Sequence, residues 1–225
     1  MITLTDIYKV FSTEEMETYA LNNINLHVDK GDFVSIMGPS GCGKSTLLNI
    51  IGHLDSPTKG KIMIEGVETS GLKDKELARL RNEKFGFIFQ SFHLVNSLNI
   101  IQNVELPLLY SHNKLSAKET KERAMAAIER VGLAHRTNHL PSQLSGGQCQ
   151  RAAIARAIVT APHVLLADEP TGNLDSRMGR EIMDLLLGLN AEGTTVVMVT
   201  HDAALAGEAM TKIMMNDGEI VSSSR

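Results

Sequence analysis

Between the β-type run Phe33 to Met37 and the helix-forming Leu47 to Ile51 stands Gly38-Pro39-Ser40-Gly41-Cys42-Gly43-Lys44-Ser45-Thr46. It fits G-x-x-x-x-G-K-[ST], and the order of strand, glycine-rich loop and helix is the context that pattern requires. Glycines are needed because the backbone must wrap closely round phosphate oxygens and offer them its N–H groups, while the helix adds its positive end. Lys44 is then expected to reach the β and γ phosphates, and Ser45 to place its hydroxyl on Mg2+. Cys42 lies inside the loop, where nearby N–H groups and Lys44 could make its thiol reactive. A small residue selected for fit is the simpler reading, and both stay open.

The rest of the chain suits a globular protein built round such a loop. It has 225 residues, 43% of them apolar, and six prolines, enough for one sizeable core. A formal charge of −4 gives no electrostatic reason to expect a nucleic-acid surface. Its two cysteines, Cys42 and Cys149, suggest neither a disulfide framework nor a metal site, which fits a reducing cytosol. There is no secretory h-region and no run of 18 apolar residues, so the chain is expected neither to be exported nor to insert in a bilayer. Any membrane role must come through a partner.

Short β-type runs recur at Ile24 to Val28, Phe33 to Met37, Lys61 to Ile64, Phe85 to Phe89, Val164 to Ala167, Thr194 to Thr200 and Lys212 to Met215. Several are continuous apolar strings, as buried parallel strands should be. Helical patterns alternate with them. Met178, Ile182, Leu185, Leu186 and Leu189 keep one face apolar and read as core packing. Ser116 and Glu119 form a capping box for a helix ending near Gly132. From Ser91 to Leu144 the patterns are helical, which points to a helical insert in an α/β core.

The strand Val164-Leu165-Leu166-Ala167 delivers Asp168 and Glu169 at its carboxyl end, where α/β sheets bind ligands. Asp168 can hold Mg2+ and Glu169 can polarise the water that attacks the γ phosphate. Pro170 predicts an extended Glu169. The strand Thr194 to Thr200 delivers His201 in a position to reach the γ phosphate or that water. Separately, Leu144-Ser145-Gly146-Gly147-Gln148 precedes an alanine- and arginine-rich helix. Ser145 is a good N-cap, and two glycines leave N–H groups at a positive helix end. One nucleotide does not need two such ends, so the second invites another molecule.

In order, GPSGCGKST, Gln90 after a strand, LSGGQ, VLLADEP and His201 resemble the complete motif series of the ATP-binding cassette (ABC) ATPases, over nearly the whole chain. NIIGHLDSPTKGKI, IFQSFHLVNSLNIIQNVELPL and LADEPTGNLDS are similar to the branch holding the lipoprotein-release and macrolide-exporter ATPases. The resemblance implies an α/β fold, a P-loop NTPase core with a mostly parallel sheet, a small antiparallel β subdomain and a helical insert. The core would comprise residues 1–90 and 155–225, and the helical subdomain residues 91–154.

It further implies ATP and Mg2+ as cofactors, with Ser45, Gln90 and Asp168 at the metal. A head-to-tail homodimer would hold each ATP between one phosphate loop and the other chain's Ser145, Gly146, Gly147 and Gln148. Phe11 matches the aromatic that stacks on adenine, with Tyr8 a weaker match, and Asn173, Leu174 and Asp175 match a loop that talks across the dimer. Separate transmembrane permease subunits would dock near Phe92, His93 and Leu94, holding the chain on the cytoplasmic face of the membrane. Export or extraction is favoured over uptake. The alternative is an ATPase that regulates a membrane protein in cell-wall remodelling or signalling. Cys149 departs from the usual polar residue after LSGGQ and is expected to affect only helix solvation.

Overall fold

The computed structural model describes residues 1–12, 16–112 and 114–225. In chain order the regular elements are β1 (Ile2–Ser12), β2 (Glu17–Val28), β3 (Phe33–Met37), α1 (Lys44–Ile51), β4 (Lys59–Ile64), β5 (Val67–Glu68), α2 (Asp74–Lys84), β6 (Phe85–Phe89) and α3 (Ile100–Leu109). They continue with α4 (Ala117–Arg130), α5 (Gly146–Ile158), β7 (Val164–Asp168), α6 (Ser176–Ala191), β8 (Thr195–Val199), α7 (Ala203–Ala206), β9 (Thr211–Asn216) and β10 (Glu219–Ser224). Two compact units result, one of Met1–Leu77 with Thr195–Arg225 and one of Ala78–Thr194.

The first unit holds an antiparallel sheet in the order β2-β1-β4-β5 and the strand series β10-β9-β3-β8. In the second series β3 is parallel to both β8 and β9, and β10 returns antiparallel to β9. Every residue of β8 is buried, as is β3 up to Ile36. That accounts for their largely apolar sequences, and the buried Ser35 of β3 donates its hydroxyl to the Ala206 carbonyl at 3.1 Å. β1 is absent from the strands expected above, and its backbone shows why. Ile2 and Leu4 are buried, but Asp6 adopts φ +49 and the next buried residue is Ile7, so a bulge resets the alternation. Gly60 on β4 makes room for the bulge. A Cβ there would lie 2.4 Å from the Asp6 carbonyl oxygen.

The second unit pairs β6 and β7 in parallel, from Phe85 opposite Val164 to Phe89 opposite Asp168. Helices α3, α4 and α5 pack together, α5 also against β6, and the described residues between Ser91 and Leu144 hold helices and no strand. Ser116 caps α4 through the expected capping box with Glu119. Asn103 in α3 is fully buried, yet it is satisfied. Its Nδ2 donates to the carbonyls of Val95, Leu98 and Asn99, and its Oδ1 accepts from Val95 N at 2.7 Å. The α6 stripe is rotated slightly from expectation, with Ile182, Met183, Leu186 and Leu189 buried while Met178 and Leu185 are only partly so.

α5 lies so close to β6 that a Cβ on Gly86 would come within 2.3 Å of the Ala157 carbonyl oxygen and 2.7 Å of Leu165 Cδ2. Gly86→Ala is therefore expected to destabilise the protein by about 1–3 kcal/mol through overpacking. At this size each kcal/mol lowers the Tm by about 2–4 °C. Thermal unfolding checks it, and an unchanged Tm would contradict the close approach.

Candidate nucleotide site

In the first unit the carboxyl ends of β3 and β8 lie side by side, with Ile36 opposite Val199. Gly38 and His201 therefore leave the same edge. Gly38, Gly41 and Gly43 have φ values of +154°, +81° and +98°, where side chains are strained. At Gly38 a Cβ would sit 2.2 Å from the Met215 carbonyl oxygen, and at Gly43 one would sit 2.3 Å from that of Ala20. Lys44 is buried, and its Nζ donates to the carbonyls of Gly38 at 2.9 Å and Pro39 at 2.8 Å. The loop thus folds round its own ammonium group. Ser40, Gly41 and Ser45 are exposed, and Thr46 is half-buried.

Helix capping separates this helix from α3, α4, α5 and α6. Asn99, Ser116, Ser145 and Asp175 each cap α3, α4, α5 and α6 by accepting a hydrogen bond from a backbone N–H of the first turn. α1 begins at Gly43 with no side-chain cap. A phosphate oxygen is the natural acceptor for such an end, and in the loop in front of it the Cβ positions of Gly38 and Gly43 are already filled by backbone. These residues fit a nucleotide phosphate chain. Cys42 is 4% exposed, with Sγ 3.9 Å from Lys44 Nζ. That burial favours fit over reactivity.

His201 is exposed after β8, and the following Asp202 caps α7 by accepting from Ala204 N and Leu205 N. Phe11, 48% exposed near the end of β1, has Lys9 Nζ 4.9 Å from its ring centroid. The stem of Tyr8 is opposite Lys59 on β4 and is less exposed.

In the second unit the parallel register sets Gln90 beside Asp168 and Glu169 at the carboxyl ends of β6 and β7. Gln90 Nε2 donates to Asn173 Oδ1 at 3.3 Å, and Asn173 Nδ2 donates to the Gln90 carbonyl at 3.0 Å. Glu169 is not extended as its neighbour Pro170 predicts. Its φ is +48°, a left-handed conformation costing about 1–2 kcal/mol, and Gly172 N closes the turn onto the Glu169 carbonyl at 3.0 Å. The turn sets Glu169 apart from the strand direction that carries Asp168.

The LSGGQ segment forms the start of α5, where Ser145 Oγ accepts from Gln148 N and Gln148 Oε1 accepts from Ser145 N. A Cβ on Gly147 would meet Met178 Sδ at 2.8 Å, so a larger residue there would displace that side chain. Asp175 accepts from Met178 N at 2.9 Å and so spends one oxygen on α6. Further along α5, the Arg156 guanidinium donates to the carbonyls of Phe92 and His93, both of positive φ. Burial lowers the Arg156 pKa. Phe92, His93 and Leu94 line an open groove of about 570 Å³ with Pro141, Ser142 and Cys149. Cys149 is 8% exposed, its thiol pKa raised by burial, so it is a packing residue of the groove wall rather than a solvated one.

The family model for ABC transporters matches residues 21–172, which runs from β2 through both carboxylates and the LSGGQ helix. The chain belongs to the ABC transporter family. It is an ATP-binding ATPase subunit with the P-loop NTPase fold. An ABC transporter ATP-binding protein of Methanocaldococcus jannaschii is 50% identical over 221 residues, covering 98% of both chains. The macrolide export ATP-binding/permease protein MacB of Burkholderia pseudomallei is 48% identical over 221 residues, 98% of this chain but 34% of that longer protein. A dimeric post-hydrolysis structure of the ATP-binding cassette MJ0796 bound to ADP and phosphate matches with a TM-score of 0.93 and 46% identity, covering 100% of this chain and 98% of that one. No helix among the described residues of this ABC subunit is long and apolar enough to cross a membrane.

Proposed function

We propose that this ABC ATPase closes as a head-to-tail homodimer over two ATP molecules and so drives separate transmembrane permease subunits, in export or extraction rather than uptake. The observation that carries the nucleotide half is the uncapped start of α1 behind a loop of left-handed glycines and the buried Lys44. Gly38, Pro39, Ser40, Gly41, Cys42, Gly43, Lys44, Ser45 and Thr46 hold the phosphates, and Phe11 takes the adenine. Ser45, Gln90 and Asp168 would hold Mg2+, which would supply neutralisation of phosphate charge. Its donor set is a hydroxyl, an amide and a single carboxylate, which suits a hard cation that keeps several waters.

Glu169 accepts a proton from the attacking water, and His201 orients that water or the γ phosphate. Ser145, Gly146, Gly147 and Gln148 present the N-terminus of α5 to the partner's nucleotide, with Asp175 at the dimer interface. The dimeric MJ0796 structures support this arrangement, and the fused ATP-binding/permease relatives support a permease partner. The groove at Phe92, His93 and Leu94, within the helical subdomain of residues 91–154 and its entrance, receives that partner, which keeps the subunit on the inner face of the membrane.

The test is affinity purification of a tagged Glu169→Gln form from detergent-solubilised native membranes with ATP and Mg2+, followed by mass spectrometry. Recovery of a polytopic membrane protein is the expected result. Recovery of soluble proteins alone, with the bait folded and ATP-bound, contradicts the permease half. A partner whose cargo stays in the membrane while ATP is hydrolysed fits regulation instead of export.

A further inference from the structure

The helix that begins at LSGGQ carries one polar side chain with no exposure at all. Gln150 lies on the face of α5 that also holds the buried Gly147, Ala153, Ile154 and Ala157. Placing an amide there costs desolvation that an apolar residue would avoid. Only part of that cost is recovered. Nε2 donates to the Pro170 carbonyl at 2.7 Å, while Oε1 has no hydrogen-bond partner among the described residues.

The single bond goes to the residue directly after Glu169. Glu169 holds φ +48°, and a non-glycine residue stays in that region only where its surroundings over-determine it. Pro170 has no N–H, so its carbonyl is the one main-chain group by which it can be held. On the other side Gly172 N fixes the Glu169 carbonyl at 3.0 Å. The two bonds hold the turn at the Glu169 and Pro170 carbonyls, one from within the loop and one from α5.

We infer that Gln150 is a positioning residue for ATP hydrolysis, holding Pro170 and thereby the left-handed Glu169 so that its carboxylate stays aimed at the attacking water. The inference rests on Glu169 acting on that water, as proposed above. Because α5 starts at the glycines that would meet the partner's nucleotide, the same bond ties one chain's LSGGQ helix to that chain's own carboxylate.

The experiment uses the full chain with Gln150→Met, which keeps length but not the donor, and Gln150→Glu. For Gln150→Met, kcat should fall about ten- to a hundredfold, as a shift of about 1 Å in a reacting group does, with the Kd for ATP unchanged within about twofold. Added to Glu169→Gln, it should leave the residual rate unchanged, since the carboxylate it serves is already gone. A folded Gln150→Met enzyme with normal kcat, an equal loss of kcat and ATP affinity, or a full further loss in the Glu169→Gln background would each overturn the inference.

Should Gln150→Met fail to fold, Gln150→Glu decides. Burial raises the pKa of its carboxyl, the protonated form donates to Pro170 and the ionised form repels it. Its kcat relative to the unsubstituted enzyme should therefore rise as pH is lowered, and a ratio independent of pH would overturn the inference. Normal turnover in Glu169→Gln alone would remove the role of Glu169 and is read separately from either Gln150 variant.

Discussion

Glu169→Gln is expected to lower ATP turnover by about 10²–10⁴-fold, the range for removing a positioned general base, while ATP affinity changes little. The substitution keeps shape and hydrogen-bonding reach but supplies an amide that cannot take a proton from water. Asp168, next to it in sequence, does not stand in. It ends β7 in register with Phe89, whereas the φ of +48° turns Glu169 out of the strand direction. Steady-state hydrolysis with nucleotide binding measured alongside separates the two effects. Turnover within a few fold of normal would take Glu169 out of the chemistry.

Lys44→Ala should act at the earlier step. Its ammonium is buried and bonded to the Gly38 and Pro39 carbonyls at 2.9 and 2.8 Å, so the substitution removes both the charge proposed to meet phosphate and the tie that shapes the loop. A hydrogen bond to a charged group contributes about 1.5–3 kcal/mol. Losing one raises the Kd for ATP about 10- to 150-fold, and the loosened loop adds to that. Titration with a fluorescent ATP analogue reads the change. Affinity within a few fold of normal would mean that the backbone of the loop and α1 carry binding without the side chain.

Much of this was legible in the sequence because it depends on local rules. The phosphate loop, the capping boxes at Ser116 and Ser145 and the apolar strands β3, β7 and β8 are each specified by a few adjacent residues. What stayed hidden depends on contacts distant in sequence or on backbone geometry. β1 was lost because the bulge at Asp6 breaks its alternation, and that bulge is tolerated only because Gly60 faces it. Glu169 defied the extended preference that Pro170 imposes because its turn is held from Gly172 and from α5. Gln150 and Arg156 read as ordinary polar helix residues. The one signal available was that Gln150 shares a helical face with Gly147, Ala153 and Ala157, a polar residue in a small-residue stripe.

The shared-site dimer is tested most directly by the molar mass of purified Glu169→Gln in solution, measured by light scattering with and without ATP and Mg2+. With ATP the mass should be twice the 24.5 kDa of the chain, returning to one chain when nucleotide is removed or when Ser145 and Gly146 are replaced by bulky residues. A single-chain mass with ATP demonstrably bound would contradict it, because each LSGGQ helix would then have no nucleotide of a partner to meet.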